Sequence, residues 1–122
     1  MENKRPERVA DLLQLELADI LLRRVKDPRV SPVTVTAIAV SRDLQNATVF
    51  FCLTGTSDPV VLESAMEGLN KAKGFMRQEL GKRLRLRYIP QLAFRYDSSL
   101  DYGQKIERIL KELQDHEHDR SE

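Results

Sequence analysis

The 122-residue chain has little of what most secreted, membrane and catalytic proteins depend on. It has no tryptophan, one cysteine, two histidines and only 6% aromatic residues. The single Cys52 cannot form an internal disulfide, which is typical of a reducing compartment. No apolar run approaches the roughly 20 residues needed to cross a bilayer, and the first residues, Met-Glu-Asn-Lys-Arg-Pro, lack the apolar segment of a secretory signal. The sequence therefore predicts a cytoplasmic protein that does not enter a membrane.

Residue patterns that support catalysis are also missing. The two histidines, His116 and His118, follow the last apolar position in a charged tail, where no fixed element supplies a third metal ligand. The chain contains neither the GxxxxGK[ST] nor the GxGxxG glycine pattern. Cys52 has no histidine near it in sequence, so we expect a small buried thiol rather than a nucleophile. We expect no catalytic residue, no metal, no cofactor and no small-molecule substrate.

Positive charge is concentrated in one stretch. The net charge is only +1, yet residues 71–95 carry eight basic side chains and a single acidic one, Glu79. The basic residues are Lys71, Lys73, Arg77, Lys82, Arg83, Arg85, Arg87 and Arg95. Such a cluster favours a polyanionic partner such as nucleic acid. The alternative is a solvated surface whose charges are balanced by acidic neighbours, and we expect two or three of the eight to be paired in that way.

Apolar spacing predicts the elements of the first half of the chain. A helix starts at Pro6 and ends before Asp27-Pro28. The β-branched run 33–40 and the run 47–54 predict two strands joined by a turn at 42–46. Asp58-Pro59 predicts the start of a second long helix.

The second half is predicted to contain a kink, an extended segment, a strand and a last helix. The apolar stripe changes phase at Ala72, Lys73 and Gly74, which favours a helix–kink–helix arrangement. The alternation in 83–87 would point Arg83, Arg85 and Arg87 to one side and the two intervening leucines inwards. A strand follows at 92–96, with a capping pattern at 98–101. The last helix would carry Ile106, Ile109, Leu110 and Leu113.

These elements predict an α+β protein with the order α-β-β-α-kink-α-β-α. The helical connection between the second and third strands is long enough for a parallel crossover, so we expect a three-stranded mixed sheet with helices on one face. We expect one domain over residues 1–122, ordered from about 5 to 114 and ending in a polar tail at about 115–122.

Several stretches, taken in order, resemble the ribosome-binding factor A family of bacterial small-subunit assembly factors. They are Arg5-Pro6-Glu7-Arg8-Val9-Ala10, Asp27-Pro28-Arg29, Val40-Ser41-Arg42-Asp43-Leu44, Ala47-Thr48-Val49, Gly74-Phe75-Met76-Arg77, the run from Leu86 to Phe94, and Asp97-Ser98-Ser99. The resemblance covers about Pro6 to Leu113. It implies a type II KH-like fold and a factor that binds free or immature small (30S) ribosomal subunits near the decoding-region RNA. It also implies a role in maturation of the small-subunit (16S) rRNA and in growth in the cold.

The resemblance departs from other KH proteins at the nucleic-acid clamp. KH modules hold single strands with a GxxG loop, whereas Ala72, Lys73 and Gly74 occupy that place here and match the family's helix–kink–helix. This favours recognition of folded ribosomal RNA by a monomeric protein. The expected RNA-binding residues are Lys71, Lys73, Arg77, Lys82, Arg83, Arg85 and Arg87, extended by Lys4, Arg5 and Arg8 at the start of the first helix.

A protein-interaction adaptor is the alternative function. Leu15 and Leu22 fall on the polar side of the first helix, where they would dock a partner protein. Binding to RNA should weaken with salt, whereas an apolar docking site should change little.

Overall fold

The computed structural model describes residues 5–99 together with 110, 111 and 113. The elements in this part of the chain are α1 (Arg5–Arg23), a short 3-10 helix (Pro28–Val30), β1 (Val33–Val40), β2 (Asn46–Leu53), α2 (Pro59–Arg83) and β3 (Gln91–Tyr96). Each predicted strand is present within two residues of its expected bounds. None of the helices that the structure describes is long and apolar enough to cross a membrane.

The three strands form one mixed sheet with β2 in the centre. β2 pairs antiparallel with β1 and parallel with β3, so the predicted crossover through α2 is confirmed. The register of β1 against β2 shifts between Val35 and Ala37, which places a β-bulge at Thr36. Side chains alternate along β2, and Val49 and Phe51 are fully buried on the face that packs against the helices. Cys52 is buried, as the sequence predicted.

Helix α1 supplies one side of the core. Val9, Leu13, Leu17 and Ile20 recur at helical spacing and are buried against the sheet and α2. The helix ends at Arg23, four residues before the predicted stop. Asp27 instead caps the 3-10 helix, where its carboxylate accepts a hydrogen bond from the backbone N–H of Arg29 at 3.0 Å.

Helix α2 begins as predicted at Asp58, whose side chain accepts a hydrogen bond from the N–H of Val60 at 2.9 Å. Gly68 allows the close packing of α2 on the 3-10 helix. A Cβ at this glycine would lie 2.9 Å from Cγ1 of Val30 and 3.2 Å from Cβ of Arg29. The absence of a side chain at Gly68 is therefore required by the fold.

Where the sequence predicted a helix–kink–helix arrangement, the helical assignment of α2 continues without interruption through Ala72, Lys73 and Gly74. The apparent phase change came from counting Phe75 as a core residue, whereas it lies on the exposed side of the helix. Without it the buried stripe is continuous, since Met76 and Leu80 follow Leu69 at helical spacing. Gly74 is exposed, and a Cβ added there would meet no atom within 4 Å. A side chain at this position would therefore meet no steric obstacle.

Asp97 follows the end of β3, and Leu100 and Asp101 of the predicted capping pattern at 98–101 lie outside the described residues. The Asp97 carboxylate accepts hydrogen bonds from the N–H and the hydroxyl of Ser99, at 3.0 and 2.6 Å, and from the Thr36 hydroxyl at 2.9 Å. These hydrogen bonds, led by the Ser99 hydroxyl, lower the pKa of Asp97. The contact to Thr36 joins the end of β3 to the bulge in β1.

Most of the predicted last helix lies outside the described residues, including Ile106, Ile109 and the tail with His116 and His118. Leu110 and Leu113 are helical, but each is more than half exposed. These two leucines therefore do not lie in the core.

Candidate nucleic-acid interface

Arg83, in the last turn of α2, forms ion pairs with carboxylates of α1. Its Nη1 lies 2.7 Å from Oδ2 of Asp19 and 3.2 Å from Oε2 of Glu16, and its Nε lies 3.9 Å from Oε2 of Glu79. The hydrogen bond from Arg83 is the main cause of the lowered pKa of Asp19, and Asp19 in turn raises the pKa of the guanidinium. Arg83 therefore ties the two helices together, and the prediction that it faces outwards with Arg85 and Arg87 is wrong.

Glu79 draws further positive charge into this contact. It is the one buried charged residue in the described part of the chain. Its Oε1 lies 3.5 Å from Nη2 of Arg24 and 3.8 Å from Nζ of Lys82. A carboxylate at this depth is tolerated because cations surround it. We call Glu16, Asp19, Glu79 and Arg83 the inter-helix ion cluster.

Arg77 is also engaged within the fold. Its Nε donates to the carbonyl of Pro90 at 3.1 Å and its Nη2 to the carbonyl of Ile89 at 2.7 Å. These two bonds hold the segment that leads into β3 against α2. Within the described part of the chain, two of the eight basic residues, Lys82 and Arg83, are thus paired with acidic side chains, and Arg77 is bonded to backbone carbonyls. The acidic partners Glu16 and Asp19 lie on α1 and Glu79 lies on α2.

The extended segment 84–88 shows the predicted alternation. Leu84 and Leu86 are half-buried and pack against the core, whereas Arg85, Arg87 and Tyr88 are exposed. The chain becomes extended at Leu84, the C-cap of α2, with φ −115° and ψ 139°. Arg85 and Arg87 therefore form a short row of positive charge, held from behind by two leucines and by the bonds from Arg77.

A second exposed surface runs along α2. Lys71, Phe75, Gln78 and Lys82 are exposed and follow one another at helical spacing. Lys71 lies near enough to Asp27 to contribute to the lowered pKa of that carboxyl. Lys73 is half-buried. Lys71 and Lys82 thus share one side of the helix, separated by roughly 16 Å along its axis.

The start of α1 approaches the segment 84–88. Arg5 and Arg8 are exposed, and Arg5 lines the same cleft as Arg87. Lys4 lies outside the described residues. The structure therefore brings Arg5, Arg85 and Arg87 to one end of the molecule, while Lys71 and Lys73 lie farther along α2.

Two features of this end were missed from the sequence. Tyr88 is 48% exposed in a chain with few aromatic residues. Leu44, in the β1–β2 turn, has φ 62°, a left-handed conformation that leucine rarely adopts. The position of Tyr88 after the alternating arginines was the only available signal. No turn residue such as glycine or asparagine marks the left-handed position.

Two exposed leucines of α1 form an apolar surface to which a partner protein could bind, as the adaptor function requires. Leu15 and Leu22 are 70% and 81% exposed. Leu22 borders a cleft of about 330 Å³ formed by the end of α1, the 3-10 helix and β1. Val25, Val30 and Val33 line it, and it carries no basic side chain. Among the described residues no cluster of three potential metal ligands is found.

Comparison with known proteins identifies the relatives of this chain. The sequence model of ribosome-binding factor A matches residues 5–110. Ribosome-binding factor A of Syntrophobacter fumaroxidans is 67% identical over 96% of this chain and 100% of its own length. The solution structure of a Thermotoga maritima protein described as a putative ribosome binding factor A aligns with a TM-score of 0.67, at 31% identity, over 81% of this chain and 93% of that one.

A third relative was placed on the ribosome. It is the Thermus thermophilus ribosome binding factor A, fitted as a homology model into the cryo-EM map of a 30S–RbfA complex. It aligns with a TM-score of 0.60 at 26% identity, over 73% of this chain and 91% of that one. The KH-like fold expected from the resemblance is confirmed by these structures. The chain belongs to the ribosome-binding factor A family.

Proposed function

We propose that this protein is a cytoplasmic, monomeric assembly factor that binds free or immature small ribosomal subunits through their rRNA. It acts by binding and positioning RNA, without catalysis, and so assists maturation of the 16S rRNA, most importantly in the cold. Family membership and the 30S complex of the Thermus relative support the choice of the small subunit.

The proposed RNA contact rests on the exposure of Arg85 and Arg87. Their segment is held in place by the packing of Leu84 and Leu86 and by the hydrogen bonds from Arg77. Both guanidinium groups are exposed, unlike that of Arg83. Arginine on a rigid support loses less side-chain freedom on binding and can contact phosphate in a bidentate way. Lys71 and Lys82 extend the positive surface along α2.

The RNA target is expected to be a folded one. α2 runs as a helix where other KH proteins place the GxxG loop, so a four-nucleotide clamp has no loop to form it. Phosphate contacts alone would bind any RNA or DNA, with an affinity that falls with salt. Only a target of matching shape adds contacts that persist at moderate ionic strength.

Gradient sedimentation of cell lysate at moderate salt tests this proposal. We expect the protein in the fraction of free small subunits, and cells that lack it should accumulate unprocessed 16S rRNA and free subunits, most strongly in the cold. Purified protein should retain small subunits at a salt concentration that releases single-stranded RNA and duplex DNA. Co-migration with translating ribosomes only, or with no ribosomal fraction, would reject the proposal.

An adaptor function remains the second candidate, because Leu22 is exposed beside an apolar cleft and Leu15 is exposed on the same helix. Replacing both leucines with alanine separates the candidates. The RNA-binding proposal predicts unchanged subunit binding, whereas an adaptor that docks through α1 would lose its partner and show little dependence on salt.

A further inference from the structure

A cleft of about 460 Å³ lies between three parts of the chain that are far apart in sequence. The start of α1 forms one side, the β1–β2 turn the second, and the segment before β3 the third. Its volume falls within the range of about 300–1,000 Å³ that is usual for small-ligand sites. Nothing in the RNA contacts proposed above requires such a cavity.

The lining combines an apolar interior with a charged rim. Leu44, Leu86 and Pro90 supply apolar surface, Tyr88 supplies an exposed aromatic ring, and Arg5 and Arg87 supply positive charge. Protein sites for unstacked RNA bases combine the same components, an aromatic or apolar surface for the base and cations for the phosphate. The apolar cleft beside Leu22 lacks both an aromatic residue and a basic one, so it does not fit this ligand.

The turn that forms one wall is held in place by a dense set of hydrogen bonds. The Asp43 carboxylate accepts from the Ser41 hydroxyl at 2.6 Å and from the N–H of Gln45 at 3.1 Å. The N–H of Asn46 donates to the Ser41 hydroxyl at 3.0 Å. These bonds keep Leu44 in its left-handed conformation, with its side chain at the cleft. Strained residues of this kind persist where the surrounding structure fixes them, and they concentrate at binding sites.

The facing wall is fixed as well. Arg77 donates to the carbonyls of Ile89 and Pro90, and the N–H of Gln91 donates to the carbonyl of Gln45 at 2.9 Å. The latter bond joins the segment before β3 directly to the turn. The cleft is therefore preformed, and a ligand would bind without the cost of ordering it.

The single acidic group of the cleft does not oppose an anionic ligand strongly. The Asp43 carboxylate is engaged by Ser41 and Gln45, and the Ser41 hydroxyl is the main cause of its lowered pKa. Against it stand the guanidinium groups of Arg5 and Arg87, with Arg85 one alternation away. The charge balance favours a ligand with one apolar face and one phosphate.

We propose that this cleft binds one unstacked nucleotide of RNA, with its base against Tyr88 and Leu44 and its phosphate at Arg87. The inference rests on the proposed function, since the nucleotide would belong to the small-subunit rRNA. It adds recognition of a base to the phosphate contacts of Arg85 and Arg87. It also supplies a contact that survives at moderate salt, because stacking releases no counterions.

The first test uses the full-length chain and three probes in solution. Uridine 5′-monophosphate and adenosine 5′-monophosphate should shift the methyl NMR signals of Leu44 and Leu86, whereas ribose 5-phosphate, which has no base, should not. Tyr88→Phe should keep these shifts and Tyr88→Ala should remove them. Equal shifts with ribose 5-phosphate would show a phosphate site only, and no shifts with either nucleotide would show that the cleft takes no base. Either result overturns the inference.

The second test measures affinity for purified small subunits over a range of salt concentrations. Tyr88→Ala should weaken binding by about 5- to 150-fold, the usual effect of losing one stacked base, with an unchanged salt slope. Tyr88→Phe should bind like the wild type, and so should Leu15→Ala, which removes an exposed apolar side chain outside the cleft. Wild-type affinity in folded Tyr88→Ala overturns this inference alone, whereas failure of the wild-type protein to bind subunits overturns the proposed function.

Discussion

The last turn of α2 and the segment 84–88 both contain arginine, but the arginines differ in their contacts and exposure. Arg83 is turned back to α1, where it contacts Asp19 and Glu16 within 3.2 Å. Arg85 and Arg87, two and four residues later, are exposed. The difference arises at Leu84, where the helix ends and the side-chain period changes from 3.6 to 2. Charge density along a sequence therefore does not measure the charge that is available to a partner.

The last turn of α2 is expected to contribute to stability, and the segment 84–88 to binding. The inter-helix ion cluster joins α1 to α2, so its loss should be felt in unfolding. The row of Arg85 and Arg87 contacts no acidic residue within the described part of the chain, so its loss should be felt in binding.

The largest loss of stability is expected from Arg83→Glu. It places a fourth carboxylate beside Glu16, Asp19 and Glu79, and it leaves the buried Glu79 with fewer cations. Thermal and denaturant unfolding should both show a clearly lower midpoint. Arg85→Glu makes the same change in charge one alternation away and should unfold like the wild type. Equal midpoints for the two variants would remove the distinction between the regions.

Two glycines of α2 provide a smaller test of where the helix is packed and where it is open. Gly68→Ala should destabilise the protein by about 1–3 kcal/mol, because its Cβ would approach Val30 to 2.9 Å. Gly74→Ala should stabilise it by about 0.5–1 kcal/mol, because the position is open and alanine is the better helix former. Urea unfolding of both variants measures this, and a destabilising Gly74→Ala would show that the helix bends or packs at that point.

The smallest expected effect is a dependence of stability on pH at Asp27, which caps the 3-10 helix packed against α2. Hydrogen bonds from Arg29 lower the pKa of Asp27 from 3.8 to about 2. A carboxyl whose pKa is lower in the folded state contributes stability above about pH 4, and that contribution is lost as the pH falls towards 2. Unfolding midpoints measured between these pH values should therefore fall less steeply in Asp27→Asn than in the wild type. Equal slopes would show that Asp27 does not contribute.

Much of the fold could be predicted from the sequence because the signals are local. The β-branched run 33–40 and the proline after Asp58 fix β1 and the start of α2 by short-range preferences. The apparent phase change of the apolar stripe at Gly74 arose for the same reason. Phe75 was counted as a core residue by its type, whereas its exposure depends on what packs around α2.

The site was less predictable, since it depends on which distant residues meet. The inward direction of Leu84 and Leu86 followed from their alternation with the arginines. The capture of Arg83 by Asp19, 64 residues away in sequence, carries no local signal. The cleft that contains Leu44 and Tyr88 is likewise assembled from three separate stretches, so no motif could have indicated it.

The central claim is that the exposed Arg85 and Arg87 contact rRNA phosphates, whereas Arg83, which is held by Asp19 and Glu16, does not. The most direct test is the salt dependence of affinity for purified small subunits, measured for wild type and for Arg85→Gln/Arg87→Gln. The slope of log affinity against log salt is negative, and each lost phosphate contact should reduce its magnitude by about 0.9. The slope of the double variant should therefore be shallower by about two units. The matched control, Lys26→Gln/Arg95→Gln, removes the same charge from exposed positions elsewhere and should keep the wild-type slope. An unchanged slope in the folded Arg85→Gln/Arg87→Gln protein would contradict the claim.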